Sequence, residues 1–196
     1  MPNPIDRIAH SPREYRVRTR QPHEVDLVVL HQTGTPPTRK DAPILDRVRA
    51  HVLVLQDGEV RLLHPLLTRM RYGSSTWNSR CVTVECQGNY PTRYTTAGEP
   101  VWWSPDTAGA HRLSDHPAQV QAVRDVLSWL KGEIPGLKYI GAHRQIQAAK
   151  GGCCGPDLWS ECGEYALTHL GYKLVNTDKA GKDLPSTWRQ APEMCL

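Results

Sequence analysis

Two histidines and a pair of adjacent cysteines are the residues of this chain best suited to metal chemistry. The stretch from Tyr139 to Trp159, YIGAHRQIQAAKGGCCGPDLW, sets His143 a short loop ahead of Cys153 and Cys154. Imidazole and thiolate both bind zinc, and a catalytic zinc takes three protein ligands and keeps a fourth position for water. A second histidine, His31, closes the apolar run DLVVLH from Asp26, and Gln32 to Pro37 follow it as a turn. Leu137, Tyr139 and Ile140 read as a short strand ending at Gly141. Both histidines therefore stand where a strand gives way to a loop, presented from a rigid base. Gly151, Gly152 and Gly155 let the backbone around Cys153 approach an ion without a Cβ in the way. A lone histidine at a strand end is more often a hydrogen-bonded core residue than a ligand. Two of them with a glycine-bracketed cysteine favour a Zn²⁺ site, with either cysteine of the pair as the third ligand.

The elements that must position these residues follow from the apolar pattern. Residues 1–24, rich in Pro and Arg without periodicity, read as an extended N-terminal arm. The domain proper spans 25–171 and opens with the buried strand that ends at His31. Asp41 to Ala50 (DAPILDRVRA) predicts a helix, with Asp41 as N-cap, Pro43 in the first turn and Ile44, Leu45 and Val48 on one face. His51 to Leu55 (HVLVL) predicts a strand, Gln56-Asp57-Gly58 a tight turn, and Glu59 to Leu63 the returning arm of a hairpin. Residues 64–80 read as a long loop. In Cys81 to Gln87 (CVTVECQ) the alternation puts Thr83 and Glu85 on the face opposite Val82, Val84 and Cys86. Residues 88–116, irregular and carrying Trp102 and Trp103, read as loop. A helix starts at Pro117, buries Val120, Val123, Leu127 and Leu130, and ends at Gly132 and Pro135. A last helix opens at Pro156, turns Leu158, Cys162, Tyr165 and Ala166 inward, and closes at Gly171. The tail, 172–196, packs on the domain. The class is α/β, one domain, with a central mixed sheet of about four to six strands flanked by helices from residues 41, 117 and 156.

Composition excludes several functions. A chain of 196 residues with net charge +4 makes one domain of ordinary core size. Its Lys and Arg are scattered and no nucleic-acid motif is present, so nucleic acid is not the expected partner. No run of about 18 apolar residues predicts a membrane span. The opening MPNPIDRIAHSPREY lacks a signal pattern, so the expectation is a soluble protein made in the cytoplasm, and a monomer. Six cysteines are too few and too uneven for a disulfide scaffold. His64, His111, His116 and His169 carry no positional argument and read as surface residues.

The order of these elements resembles the zinc-dependent N-acetylmuramoyl-L-alanine amidases, which include amidase-type phage lysozymes and the peptidoglycan recognition proteins. The resemblance covers roughly residues 25 to 171 and rests on five separated signatures. His31-Gln32-Thr33-Gly34 is similar to the family's His-x-Thr-Gly with the first zinc ligand. His51 to Gly58 is similar to its histidine-led strand and Asp-Gly hairpin. Asn78 through Val82-Thr83-Val84-Glu85 to Gly88 resembles its Asn and Ile-Gly-Ile-Glu strand, whose glutamate serves catalysis in several branches. Gly141-Ala142-His143 resembles the second ligand, and Cys153-Cys154-Gly155-Pro156 the segment that supplies the third. The chain departs from the family in three places: Cys154 where Pro follows the third ligand, Gly151 where Lys or Arg stands two residues before it, and Ala50 where many members have tyrosine. Aligning Gly155 and Trp159 with the family's Gly and aromatic favours Cys153 over Cys154.

The resemblance implies hydrolysis of the amide between N-acetylmuramic acid and L-alanine, with peptidoglycan or a muropeptide as partner. Zn²⁺ would be held by His31, His143 and Cys153. Glu85 is the candidate general base, Lys150 the candidate for stabilising the oxyanion, and His51, Asn78 and Thr33 the candidates for substrate contact. Two alternatives stand beside it: a non-catalytic peptidoglycan-binding module, and a cysteine hydrolase using Cys153 or Cys154 with His143. A chain of this kind fits a phage lysin, an injected effector or a cytosolic enzyme recycling wall fragments.

Overall fold

The apolar runs of the sequence become the inner strands of one mixed sheet. A computed structural model describes residues 2–34, 40–104 and 110–189. The sheet has seven strands in the order β1 (Ile5–Asp6), β5 (Val60–Leu62), β4 (Val52–Val54), β7 (Cys81–Cys86), β3 (Leu27–Gln32), β10 (Tyr139–Ala142) and β11 (Lys173–Leu174). Only β4 and β5 pair antiparallel, as the two arms of the hairpin expected around Asp57-Gly58. Every other neighbouring pair is parallel. The strand count exceeds the expected four to six because β1 and β11 are two-residue edge strands, too short to leave a hydrophobic pattern. Two ribbons lie outside the sheet: β2 (Arg16–Thr19) with β6 (Thr68–Met70), and β8 (Pro91–Tyr94) with β9 (Pro100–Trp102).

The pleat divides the sheet into two environments. Val28, Leu30, Val82 and Val84 join Val123, Leu127 and Leu130 of helix α1 (Pro117–Glu133) in the main core. Each such side chain contributes roughly 1.5–3 kcal/mol relative to staying exposed. Leu27, Val29 and Cys81 point the other way and pack with Trp77, Ile146 and Val175. His31 and Glu85 continue this second row, so alternation alone carries them to the face opposite α1.

Helix expectations held where many apolar positions pack and failed where few do. The helix predicted over 41–50 is a 3₁₀ turn, Pro43–Arg47, with Ile44 59% exposed. Only Leu45 and Val48 reach the cluster of Leu53, Leu55 and Leu63, too little burial to offset helix nucleation. The last helix is divided into α2 (Pro156–Leu158), a π turn (Trp159–Gly163) and α3 (Glu164–His169). Leu158, Cys162 and Ala166 are buried, while Tyr165 is half-buried and stacks on His169.

Residues 5–6 and 16–19 of the arm pair with the domain, and Arg20 is 1% exposed. Its guanidinium donates to the Leu66 and Cys81 carbonyls at 2.9 and 2.8 Å. His64, expected on the surface, is fully buried against Arg16, whose Nε donates to its Nδ1 at 3.1 Å. In the tail, Trp188 is 2% exposed. The five described cysteines are buried thiols. No described helix is long and apolar enough to cross a membrane.

Candidate metal centre and its cleft

Strand register brings the two histidines together. Strand β10 runs beside β3 with Ala142 opposite Leu30, so the next residue, His143, falls beside His31. Their ring centroids are 4.4 Å apart. The loop after His143 folds back on itself: the Arg144 N–H donates to the Cys153 carbonyl at 2.8 Å, and the Cys153 N–H donates to Lys150 at 2.8 Å. One ligand atom each from His31, His143 and Cys153 then lie within 4.8 Å of one another. No other group of three His, Cys, Asp or Glu converges in this way among the described residues. Cys154, fully buried like its neighbour, is not part of this group. Gly34, just past His31, has φ +67°, and a Cβ there would meet the Trp103 ring at 2.1 Å. Glycine at this place lets Trp103 close over the end of β3.

Glu85 joins the same row. It is the register partner of His31 on β7, and its Oε1 lies 3.9 Å from His31 Nδ1. Its side chain keeps 16% exposure, yet Oε2 is buried without a hydrogen-bond partner. Burial pushes its pKa up to about 8, with the Lys150 charge acting in the other direction. Burial, helped by the charges of His143 and Lys150, holds His31 well below the usual imidazole value. Burial and Lys150 bring His143 down to about 4. Both rings are therefore neutral and offer lone pairs at physiological pH. The Cys153 thiol is pushed up by burial and by Glu85. Two buried acids thus share a pocket with Lys150 as the cation that favours their charged forms. A divalent cation would supply the missing positive charge. Neutral imidazoles, a thiol and an unpartnered carboxylate oxygen are a donor set that fits Zn²⁺.

A cleft of 380 Å³ opens over this row. His31, His143, Cys153, Glu85, Lys150, Thr33 and Asn78 all line it. The Lys150 ammonium stands 5.5 Å from the centre of the Trp103 ring, which forms another wall. Asn78 Oδ1 accepts from the Ser74 N–H at 2.8 Å, and Ser74 Oγ sits 3.2 Å from His31 Nε2. The His31 ring thus meets Ser74 through Nε2 and Glu85 through Nδ1. Sequence reasoning missed Ser74, since one serine in a loop read as structureless gives no signal. It also missed Arg49, Arg71 and Tyr72, which line the same cleft.

His51 is the candidate the structure does not bring to the cleft. It is 1% exposed. Its Nδ1 accepts from the Thr83 N–H at 3.1 Å, and its Nε2 lies 2.7 Å from the Thr68 carbonyl, which fixes the Nε2–H tautomer. Burial, reinforced by the nearby Arg20 charge, brings its pKa down to about 3. It ties β4, β6 and β7 together from inside the protein.

A family model described as N-acetylmuramoyl-L-alanine amidase matches residues 21–156. Among solved structures, the N-acetylmuramoyl-L-alanine amidase LysC from Clostridium intestinale URNW superposes with a TM-score of 0.59 at 14% identity, covering 88% of this chain and 100% of that one. Drosophila Peptidoglycan Recognition Protein SA gives 0.59 at 14% identity, covering 90% and 97%. The Ph2119 endolysin from Thermus scotoductus MAT2119 bacteriophage Ph2119 gives 0.53 at 20% identity, covering 87% and 100%. These likenesses establish a shared fold. A comparison with curated protein sequences gives no significant match. The family match spans both histidine strands, the Glu85 strand and the cysteine loop, and by it the chain belongs to the N-acetylmuramoyl-L-alanine amidase family.

Proposed function

We propose that this protein hydrolyses the amide bond between N-acetylmuramic acid and L-alanine in peptidoglycan, as a zinc enzyme whose ligands are His31, His143 and Cys153. The observation that carries the reading is the convergence of these three side chains beside a buried carboxylate oxygen with no partner, at the floor of an open cleft. Zn²⁺ at such a site polarises a water and lowers its pKa from about 15.7 towards about 7.

The rest of the chemistry falls to the chain's own groups. Glu85 Oε2 takes the proton from the attacking water and returns it to the departing amine, a role worth typically ~10²- to 10⁴-fold. Near a bound cation the Glu85 carboxyl moves down from its buried value, which places it as a base at neutral pH. Lys150, in the wall of the cleft, offers positive charge to the oxyanion that forms on the carbonyl. Ser74, whose backbone N–H is held by Asn78, orients the His31 ring through its contact with Nε2. Thr33 and Asn78 line the floor where the substrate lies. The cysteine-hydrolase alternative has less support, because a thiol with raised pKa beside imidazoles with lowered pKa is a neutral pair, not the thiolate–imidazolium such chemistry uses.

The test is metal content together with digestion of purified sacculi. Protein prepared without chelator should carry about one zinc per chain. It should release stem peptides with free L-alanine amino termini, read by mass spectrometry, and chelation should stop the release. Sacculus binding without release, in protein free of zinc, would instead establish the non-catalytic binding module.

A further inference from the structure

A second cavity, of 610 Å³, lies on the far side of the cysteine loop from the cleft. Gly151 and Gly152 form one wall, β8 another, and residues 182–188 of the tail close it. Three cationic side chains line it, Arg93, Arg144 and Lys182. None of them forms an ion pair with a described residue. The Arg144 guanidinium lies over the Trp188 ring, 4.6 Å from its centre, and its Nη1 donates to the Gly151 carbonyl at 2.6 Å. Its Nε is buried without a partner. Of the acids close by, Asp157 accepts from Tyr94 and Arg112, while Asp183 lines a neighbouring cavity and its charge reaches Arg144 without forming an ion pair with it.

We propose that this cavity is a second binding site, which takes an oxyanion-bearing ligand, a phosphate or carboxylate group, through Arg93, Arg144 and Lys182. Like charges gathered around one cavity repel one another unless an anion enters between them. A guanidinium presents several N–H donors in a fixed fork that matches a tetrahedral or planar oxyanion. Arg144, fixed by the loop and by Trp188, gives up little side-chain freedom on binding. Lys182 and Trp188 lie beyond residues 21–156, so the site is built in part by the tail outside the family match. It also backs directly onto the loop that carries Lys150 and Cys153, since the Arg144 N–H holds the Cys153 carbonyl. On a bacterial wall this chemistry comes from phosphodiester polymers or from the carboxylates of stem peptides.

Calorimetric titration of the full chain with inorganic phosphate tests the site. The expected result is saturable binding of one phosphate per chain that weakens as salt is added. The double variant Arg93→Gln/Lys182→Gln, both exposed positions away from the cleft, should weaken it at least fivefold. Cys153→Ser should leave it unchanged, which separates the site from any anion binding at the metal and keeps the result independent of whether the protein is an amidase. A glycerol-phosphate oligomer and a muropeptide with free carboxylates then compete for bound phosphate. Displacement by the first alone assigns the phosphodiester source, and by the second alone the peptide source. No saturable binding, or binding that the double variant leaves untouched, would overturn the proposal.

Discussion

Acidification should distinguish His51 as a scaffold residue from a histidine that meets substrate. Its folded pKa of about 3 lies below the ordinary value near 6.5 that it regains on unfolding. On acidification the unfolded chain therefore takes up the proton first. The stability tied to a neutral His51 is fully present above about pH 6.5 and is lost as the pH falls from there towards 3. At pH 5 the loss is RT ln(1 + 10^1.5), or about 2 kcal/mol, and at pH 7 it is close to nothing. For a chain of this length that corresponds to roughly 4–8 °C in melting temperature. His64 and His143, each brought down to about 4, act in the same direction, so the contribution of His51 must be taken as a difference. The assay is thermal unfolding of chelated wild type and His51→Gln at pH 7 and pH 5. The variant should be less stable than wild type at pH 7, having lost the imidazole between Thr83 and Thr68, but should lose about 2 kcal/mol less on going to pH 5. NMR titration of the wild-type ring gives a second reading and should show no protonation above pH 5. A ring that titrates near 6.5, or a variant whose acid sensitivity equals that of wild type, would refute the reasoning.

Two further substitutions address the centre itself. Cys153→Ser should abolish zinc retention, whereas Cys154→Ala should keep it and lose about 1–3 kcal/mol of stability, the usual scale for a change in a packed core; the reverse metal contents would move the ligand by one residue. Glu85→Gln should retain zinc and sacculus binding while turnover falls about two to four orders of magnitude. A drop in zinc content and melting temperature with less than tenfold loss per bound zinc would remove Glu85 from the base role.

The inner strands were legible because full burial writes itself as unbroken apolar residues: LVVL before His31, VLVL after His51, and the alternation of CVTVEC. Helix α1 was legible for the related reason that a stripe at helical spacing has one stable use. The 41–50 segment misled because capping residues and a proline describe how a helix may start, while only packing decides whether it continues. His51 misled in another way. A polar residue at the head of a buried strand gives the same sequence signal whether it looks into a cleft or into the interior, and the carbonyl of Thr68 that claims its Nε2 lies in a segment read as loop. Ser74 was invisible on the same ground, since its importance lies in a contact across 43 residues with His31. The cation-lined cavity depends on β8 and on the tail, neither of which has a periodicity that predicts where it docks.

The candidate site and the core are aimed by one pattern. Strands β7, β3 and β10 lie side by side, about 4.8 Å apart as neighbouring strands must be. Their register sets Glu85 opposite His31 and brings His143 in just beyond Ala142. No loop has to search for this arrangement, because the row is fixed once Val28, Leu30, Val82 and Val84 are seated against α1. A slip of one residue in β3 would turn His31 into that core and put Leu30 or Gln32 in its place at the cleft, losing the packing and the chemistry together. Only Cys153 and Lys150 come from irregular backbone, and there the loop is held by its own hydrogen bonds and by Arg144. The rigid part of the centre therefore rests on burial that favours this register, and the adjustable part is a short loop whose other side is the wall of the second cavity.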